Sequence, residues 1–301
     1  MVTLPAGLPR DPGDAWVEGP DGRRFWGRFG AAGLLVHHPR GGVLLQHRAE
    51  WSHHGGTWGL PGGARHEGES AVTGALREAH EEAGVPVDEV RLSFSSVLDL
   101  GFWSYVTVAV EAVEQFEPTI GDAESLELRW VAVDEVDALP LHPGFAASWP
   151  ALAPRLAPPT TLVVDAANVV GSRPDGWWRD RPGAAERLLA RLGRLAEQGL
   201  PAGTLGESQP GSIWARIVVV LEGKASAAAD PEEPPAPVPA IRVVRASGAG
   251  DDTIVDVAAE APGTVVVTAD RELAGRVEAA GARVMGPGAL LEVLDALDAA
   301  H

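Results

Sequence analysis

Glu78, Glu81 and Glu82 stand at i, i+3 and i+4 in the run Arg77-Glu78-Ala79-His80-Glu81-Glu82-Ala83-Gly84. On a helix that spacing puts all three carboxylates on one face. Like charges so placed destabilise an isolated helix by roughly 0.2–0.5 kcal/mol per pair. A hard divalent cation with oxygen ligands is the simplest group that offsets the repulsion; the plainer alternative is a solvated acidic face. Arg77 lies i, i+4 from Glu81 and can hold a carboxylate in one orientation. The chemistry available to such a cluster is neutralisation of phosphate charge and activation of a metal-bound water.

The elements that must position these groups are legible around them. Ser70 can cap the start of the helix, and Glu69 sits where the positive end of the helix dipole favours an anion. Ala71, Ala75, Leu76 and Ala79 supply a small apolar face, and Gly84 can end the helix in the left-handed conformation. Upstream, Trp58-Gly59-Leu60-Pro61-Gly62-Gly63 is turn-rich, with glycines that allow a close backbone approach to a ligand. Trp58 reads equally as a nucleobase neighbour and as a core residue.

This stretch resembles the Nudix box, Gly-x5-Glu-x7-Arg-Glu-U-x-Glu-Glu-x-Gly-U, where U is a bulky aliphatic residue. Gly63, Glu69, Arg77, Glu78, Glu81, Glu82, Gly84 and Val85 fill its fixed positions, and small Ala79 at the first U position is the one departure. The resemblance implies an α/β/α sandwich with a mixed sheet over residues 26–150. It also implies metal-dependent hydrolysis of a nucleoside diphosphate linked to another group. Mg2+ or Mn2+ is then expected on Glu78, Glu81, Glu82 and the Gly63 carbonyl, with Arg77 orienting the glutamates. One of the box glutamates, or Glu127 from a later strand, is expected as general base, with Glu124 as the rival for the outside position. Trp58, Gly62 and Gly63 are the expected substrate neighbours. The segment looks most like the branch that cleaves nucleoside triphosphates, oxidised-guanine sanitisers included. The competing class is a nucleotide-sensing Nudix module that regulates a second domain; retention of every metal-binding glutamate favours the enzyme.

Bulk composition bounds the rest. At 301 residues, two domains are expected. With 45% hydrophobic and 22% charged residues the chain is globular. It has no apolar run of transmembrane length, no secretory signal pattern and no cysteine, so a cytoplasmic protein without disulfides or thiolate chemistry is expected. The net charge of −18 divides as −11 over residues 1–159 and −7 over residues 160–301, which offers no global basic field for nucleic acid.

Residues 1–25 are Pro/Gly-rich and predict an irregular lead-in, followed by strands near 33–37, 42–48, 92–98, 103–110 and 126–131. A Pro-rich linker is expected at 151–160. From 161 to 301 strands and helices alternate, which predicts a three-layer α/β/α domain with a mainly parallel sheet and a mobile Pro-rich insert at 226–239. Acidic residues follow its strands: Asp165, Glu222, Asp251 with Asp252, and Asp270. Val164-Asp165-Ala-Ala-Asn168, Gly250-Asp251-Asp252-Thr-Ile254 and Thr268-Ala269-Asp270-Arg271-Glu272-Leu273 resemble the NYN branch of the PIN-like nucleases, which implies a metal site on Asp165, Asp251, Asp252 and Asp270, with RNA as the substrate. Ordinary strand-end and helix-cap aspartates are the other reading of Asp165 and Asp270. RNA cleavage further requires arginines such as Arg173, Arg179, Arg181 or Arg245 beside the acidic edge. His53-His54, taken with His37-His38, reads as exposed loop histidines rather than a metal cluster, and Trp177-Trp178 as an aromatic loop anchor rather than a base-stacking platform.

Overall fold

The computed structural model describes residues 11–156, 158–174 and 176–300. It divides into two compact units, one running to Leu156 and including Gln209–Gly211, the other made of the remaining residues.

In the first unit β1 (Trp16–Glu18) and β2 (Arg24–Trp26) form an antiparallel hairpin. This corrects the expected irregular lead-in over residues 11–25; residues 1–10 of that lead-in lie outside the described ones. The hairpin is held by aromatic contacts. Phe25 meets the rings of Phe102 and Trp103, and the Trp103 indole donates to the Trp26 and Gly27 carbonyls at 3.1 Å.

The sheet that carries the site is mixed. Its strands are β3 (Ala31–His38), β4 (Gly42–Arg48), β5 (Trp58–Gly59), β6 (Gly62–Ala64), β7 (Val90–Asp99), β8 (Ser104–Ala112) and β9 (Ser125–Val131), with helix α1 (Ala71–Ala83) between β6 and β7 and α2 (Pro143–Leu152) at the end. β3 runs parallel to β8 and antiparallel to β4 and β6; β4 pairs antiparallel with β5 and β9, and β7 with β8. Leu35, Val43 and Leu45 share a core with Phe145, Trp149 and Leu152 of α2. Gln46, next along β4, reaches Glu82 of α1. Successive strand residues face opposite sides, so α1 and α2 cover the two faces. That is the expected α/β/α arrangement with a mixed sheet.

Residues 151–156 are not linker. Leu152 is 1% exposed in the core, and Ala153–Leu156 continue α2 as a 3-10 turn. Ala157 of the expected linker lies outside the described residues.

The second unit has β10 (Thr161–Asp165), α3 (Ala166–Gly171), α4 (Arg181–Gln198), the short antiparallel pair β11 (Leu200–Pro201) and β12 (Ser212–Ile213), β13 (Arg216–Leu221), β14 (Arg242–Arg245), α5 (Gly250–Ala259), β15 (Val265–Val267), α6 (Arg271–Ala279), β16 (Arg283–Met285) and α7 (Pro287–Ala299). Five strands form a parallel sheet in the order β14-β13-β10-β15-β16. Leu162, Val164, Val219 and Val267 pack with α3, α4 and α7, whereas the alternate residues Val163, Val218, Val220 and Val266 pack with α5 and α6. Three layers result, with the strand order reversing at β10. The Pro-rich insert is tied down at its start: Arg245 donates to the Ser226 and Ala228 carbonyls and pairs with Asp230.

Candidate active site

Helix α1 is built as its sequence dictates. Ser70 caps it, its hydroxyl accepting from the Thr73 N–H at 3.0 Å. Gly84 ends it at φ 66°, donating to the His80 carbonyl. Ala75, Ala79 and Ala83 are fully buried, so the small residue at position 79 brings α1 close to β3. The β8–β9 loop closes the last turn, with Thr119 N–H donating to the Ala83 carbonyl and Gly121 N–H to that of Glu82.

Arg77 organises the carboxylates. Its guanidinium donates to both Glu69 oxygens at 2.9 and 3.0 Å, to Glu78 at 2.7 Å, to Glu81 at 3.3 Å and to the Ala64 carbonyl at 3.1 Å. The surrounding negative charge raises the Arg77 pKa further, and the same hydrogen bonds hold the Glu69 carboxyl below its usual range. Glu69 is thus an ion-pair partner of Arg77 more than a dipole partner of the helix.

Glu82 is the most unusual group. It is 7% exposed, and its Oε2 accepts from the Gly62 N–H at 2.8 Å and from Gln46 at 3.5 Å. Burial, reinforced by the charges of Glu78, Asp122 and Glu124, pushes its pKa up to about 8. Glu78 is raised as well, by burial first and then by Glu81 and Asp14. Glu81 is exposed. No set of one oxygen from each of the three lies within 4.8 Å mutually.

Gly62 and Gly63 are required by close approach. Gly62 has φ 155° and a Cβ there would meet the Ala32 carbonyl at 2.4 Å; a Cβ on Gly63 would stand 2.8–2.9 Å from the Glu78 carboxylate. Gly63 therefore opens the space the Glu78 oxygens occupy. Gly63→Ala is expected to keep the fold, since the displaced group is the end of a flexible side chain, and to weaken Mn2+ binding and turnover by about tenfold or more. Manganese titration with a parallel thermal melt checks it.

Two expected site residues are placed elsewhere. Trp58 is 5% exposed and part of the core, stacked on His47 with ring centroids 4.7 Å apart, and the Arg129 guanidinium lies 4.5 Å from its ring centroid. Buried in this way, it is not offered to a base. Glu127 is exposed and pairs with Arg129 at 3.8 Å. Its rival Glu124 contributes to the charge felt by Glu82, lies 4.0 Å from Arg48, and has its own pKa raised by burial, Asp122 and Asp14. Asp14, from the lead-in, and Asp122, from the β8–β9 loop, carried no sequence signal beyond their charge.

In the second unit, Asp165 is 7% exposed, capping α3 through the Asn168 N–H at 3.0 Å and accepting from the Thr268 hydroxyl at 2.9 Å. Burial raises its pKa, with added repulsion from Asp251 and Glu222; Asp251 is raised likewise by burial and then Asp270. Glu222 accepts from the Gly250 N–H at 2.7 Å, Asp270 caps α6, and exposed Asp252 pairs with Arg276 at 2.5 Å. Among the described residues no three of these carboxylates bring oxygens within 4.8 Å of one another. Three of the four arginines wanted for RNA are engaged: Arg173 with Asp295, Arg181 over the Trp177 ring, and Arg245 with Asp230 and the insert.

The glycine-cradled, arginine-organised carboxylate helix on a mixed α/β/α sheet defines a Nudix domain, and the NUDIX domain family profile matches residues 27–152. A Mycobacterium tuberculosis protein named "Putative 8-oxo-dGTP diphosphatase 3" is 50% identical over 161 residues, covering 50% of this chain and 73% of that protein. A "Nucleoside triphosphate pyrophosphatase/Nudix hydrolase fusion protein" of Bifidobacterium longum is 42% identical over 153 residues, covering 48% of this chain and 32% of that protein. The crystal structure of RenU, a Nudix hydrolase from M. smegmatis, is 50% identical, covers 46% of this chain and 92% of that chain, and superposes with a TM-score of 0.43. The chain belongs to the Nudix family. It is a Nudix-family hydrolase, and no helix among its described residues is long and apolar enough to cross a membrane.

Proposed function

We propose that the first unit hydrolyses the diphosphate linkage of a nucleoside triphosphate, an oxidised guanine nucleotide among the candidates, using a divalent cation. The observation that carries this is buried Glu82, held by the Gly62 N–H beside Glu78 and Arg77 with a pKa near 8. Nudix hydrolases use divalent metal ions, and the residues here suit one. The donors are all oxygen, as Mg2+ or Mn2+ prefers. Burial and neighbouring carboxylates disfavour ionisation of Glu78 and Glu82 beyond what Arg77 offsets, a penalty a cation would relieve, and the Gly63 gap frees the Glu78 oxygens. Glu78, Glu81, Glu82 and the Gly63 carbonyl would hold the ion, which supplies charge neutralisation at the diphosphate and a more acidic water.

The chain's own groups do the rest. Arg77 fixes Glu78 and Glu81 in one orientation, and the Gly62 N–H fixes Glu82. Glu124, with its raised pKa and coupling to Glu82, is the better outside proton acceptor; a base poised nearer neutrality accepts a proton without being consumed beforehand. Glu127, exposed and paired with Arg129 at 3.8 Å, is the less favoured of the two. The names of the mycobacterial and bifidobacterial relatives support a triphosphate substrate.

For the second unit the reading is a PIN-like fold with an acidic strand-end edge, supported by the parallel order β14-β13-β10-β15-β16 and by the raised pKa values of Asp165 and Asp251. RNA is not included, because three of the four arginines it would need are engaged elsewhere.

A panel of nucleoside and deoxynucleoside triphosphates, 8-oxo-dGTP, ADP-ribose, NADH and capped RNA, each with Mg2+ or Mn2+, tests the assignment. A triphosphate should be turned over fastest, releasing pyrophosphate. No cleavage of any member, or preference for ADP-ribose, would overturn it.

A further inference from the structure

The loop between β4 and β5 carries His53 and His54, and the residue before α2 is His142. Their rings meet: centroids are 4.1 Å apart for His53–His54, 4.7 Å for His54–His142 and 6.4 Å for His53–His142. One nitrogen from each lies within 4.8 Å of the other two, and no other three His, Cys, Asp or Glu among the described residues do this. The sequence pairs His53-His54 with His37-His38, but His38 instead accepts from the Gly41 N–H in the β3–β4 turn. We infer that His53, His54 and His142 form a second metal site, selective for a divalent transition ion such as Zn2+ and separate from the carboxylates of α1.

Two features support a built site. The backbone that presents the rings is fixed, with Thr57 donating to the His54 carbonyl at 2.6 Å, Arg48 to that of His53 at 3.2 Å, and His142 N–H to the Trp58 carbonyl at 2.7 Å. His54 is the only non-glycine described residue with positive φ, at 55°, a conformation that turns its ring toward its neighbours at a local cost and that collects at functional positions.

The chemistry selects the metal. Arg48 faces His53 and His142, and Arg24 faces His53, with Glu124 4.0 Å from Arg48. Three imidazoles with no carboxylate among them offer Mg2+ none of the oxygen ligands it prefers, whereas imidazole nitrogens bind zinc, nickel or copper by lone-pair donation. Three protein ligands leave a fourth position for water. His142 Nδ1 now accepts from the Gly144 N–H at 3.2 Å. Ligation through either ring nitrogen gives up that contact, because binding at Nε2 puts the ring proton on Nδ1. Loading would therefore tie the β4–β5 loop to the start of α2 and alter the α2 cap.

The test is a zinc titration of the full chain without an affinity tag, against a chromophoric chelator in excess Mg2+, repeated with Co2+ to read its visible absorption. One equivalent of zinc and a tetrahedral cobalt spectrum are expected. His54→Asn retains tolerance for positive φ and His142→Asn retains a capping side chain, so both should fold and bind zinc about 100-fold more weakly. Glu81→Gln with Glu82→Gln should keep the full zinc equivalent, which separates this site from the proposed catalytic one. Zinc uptake unchanged in both histidine variants, uptake lost in the glutamate variant, or no uptake by the wild type would each overturn the inference.

Discussion

Replacing Glu81 and Glu82 together by glutamine is expected to lower turnover by about 10³-fold or more while the protein keeps its fold. The loss follows from removing two of the three carboxylates that face one side of α1, one of them buried beside the Gly62 N–H. The fold survives for separate reasons at each position. Glu81 is exposed, with only a 3.3 Å contact to Arg77. Glutamine at 82 keeps an oxygen for Gly62 and removes a charge that burial disfavours. Pyrophosphate release measured beside a thermal melt separates the two effects. Unchanged turnover in a folded variant would remove the catalytic assignment.

The metal-free protein should lose stability as pH rises from about 6.5 to 8. Glu82 has a folded pKa near 8 against an ordinary glutamate value of 4.5, so in that window the folded state holds a proton that the unfolded state has released. Stability falls with pH wherever the folded state binds more protons. The penalty is absent below the unfolded pKa and complete above the folded one. Glu78 and Glu124 are shifted the same way. His142, with a folded pKa near 4, works oppositely, but its contribution is essentially complete by pH 6.5. A net loss of about 1–2 kcal/mol is expected over that window. Glu82→Gln should remove most of it, and added Mg2+ should reverse it by favouring the ionised carboxylates. Hydrogen exchange of α1 and β6 across this range, in chelator, reads the effect.

How far the sequence carried this account depended on whether information was local. Helix α1, its Ser70 cap and its Gly84 end were legible because period, cap chemistry and glycine act within a few residues. The partners converging on it were not. Glu69 lies only eight residues from Arg77, yet their pairing depends on the turn that folds the segment back. Asp14 and Asp122 arrive from the lead-in and from a loop, at no fixed spacing. The choice between Glu127 and Glu124 was not legible either: the β4–β9 register shifts at His47/Arg48, next to where Glu124 leads into β9, and only the fold sets which carboxylate is buried. Helix α2 was hidden by Pro143 and Pro150, which read as breakers although the first sits at the tolerated start. His142 is remote in sequence from His53 and His54, and only the fold brings the three together.

The most direct test of the central claim follows one reaction. The full chain is stripped with EDTA, given 8-oxo-dGTP, and its products are separated before and after Mg2+ is restored. The account predicts no reaction in chelator, then conversion to the nucleoside monophosphate and pyrophosphate on adding Mg2+. Tight nucleotide binding without turnover in Mg2+, as a sensing module would show, or cleavage that proceeds equally in EDTA, would contradict it.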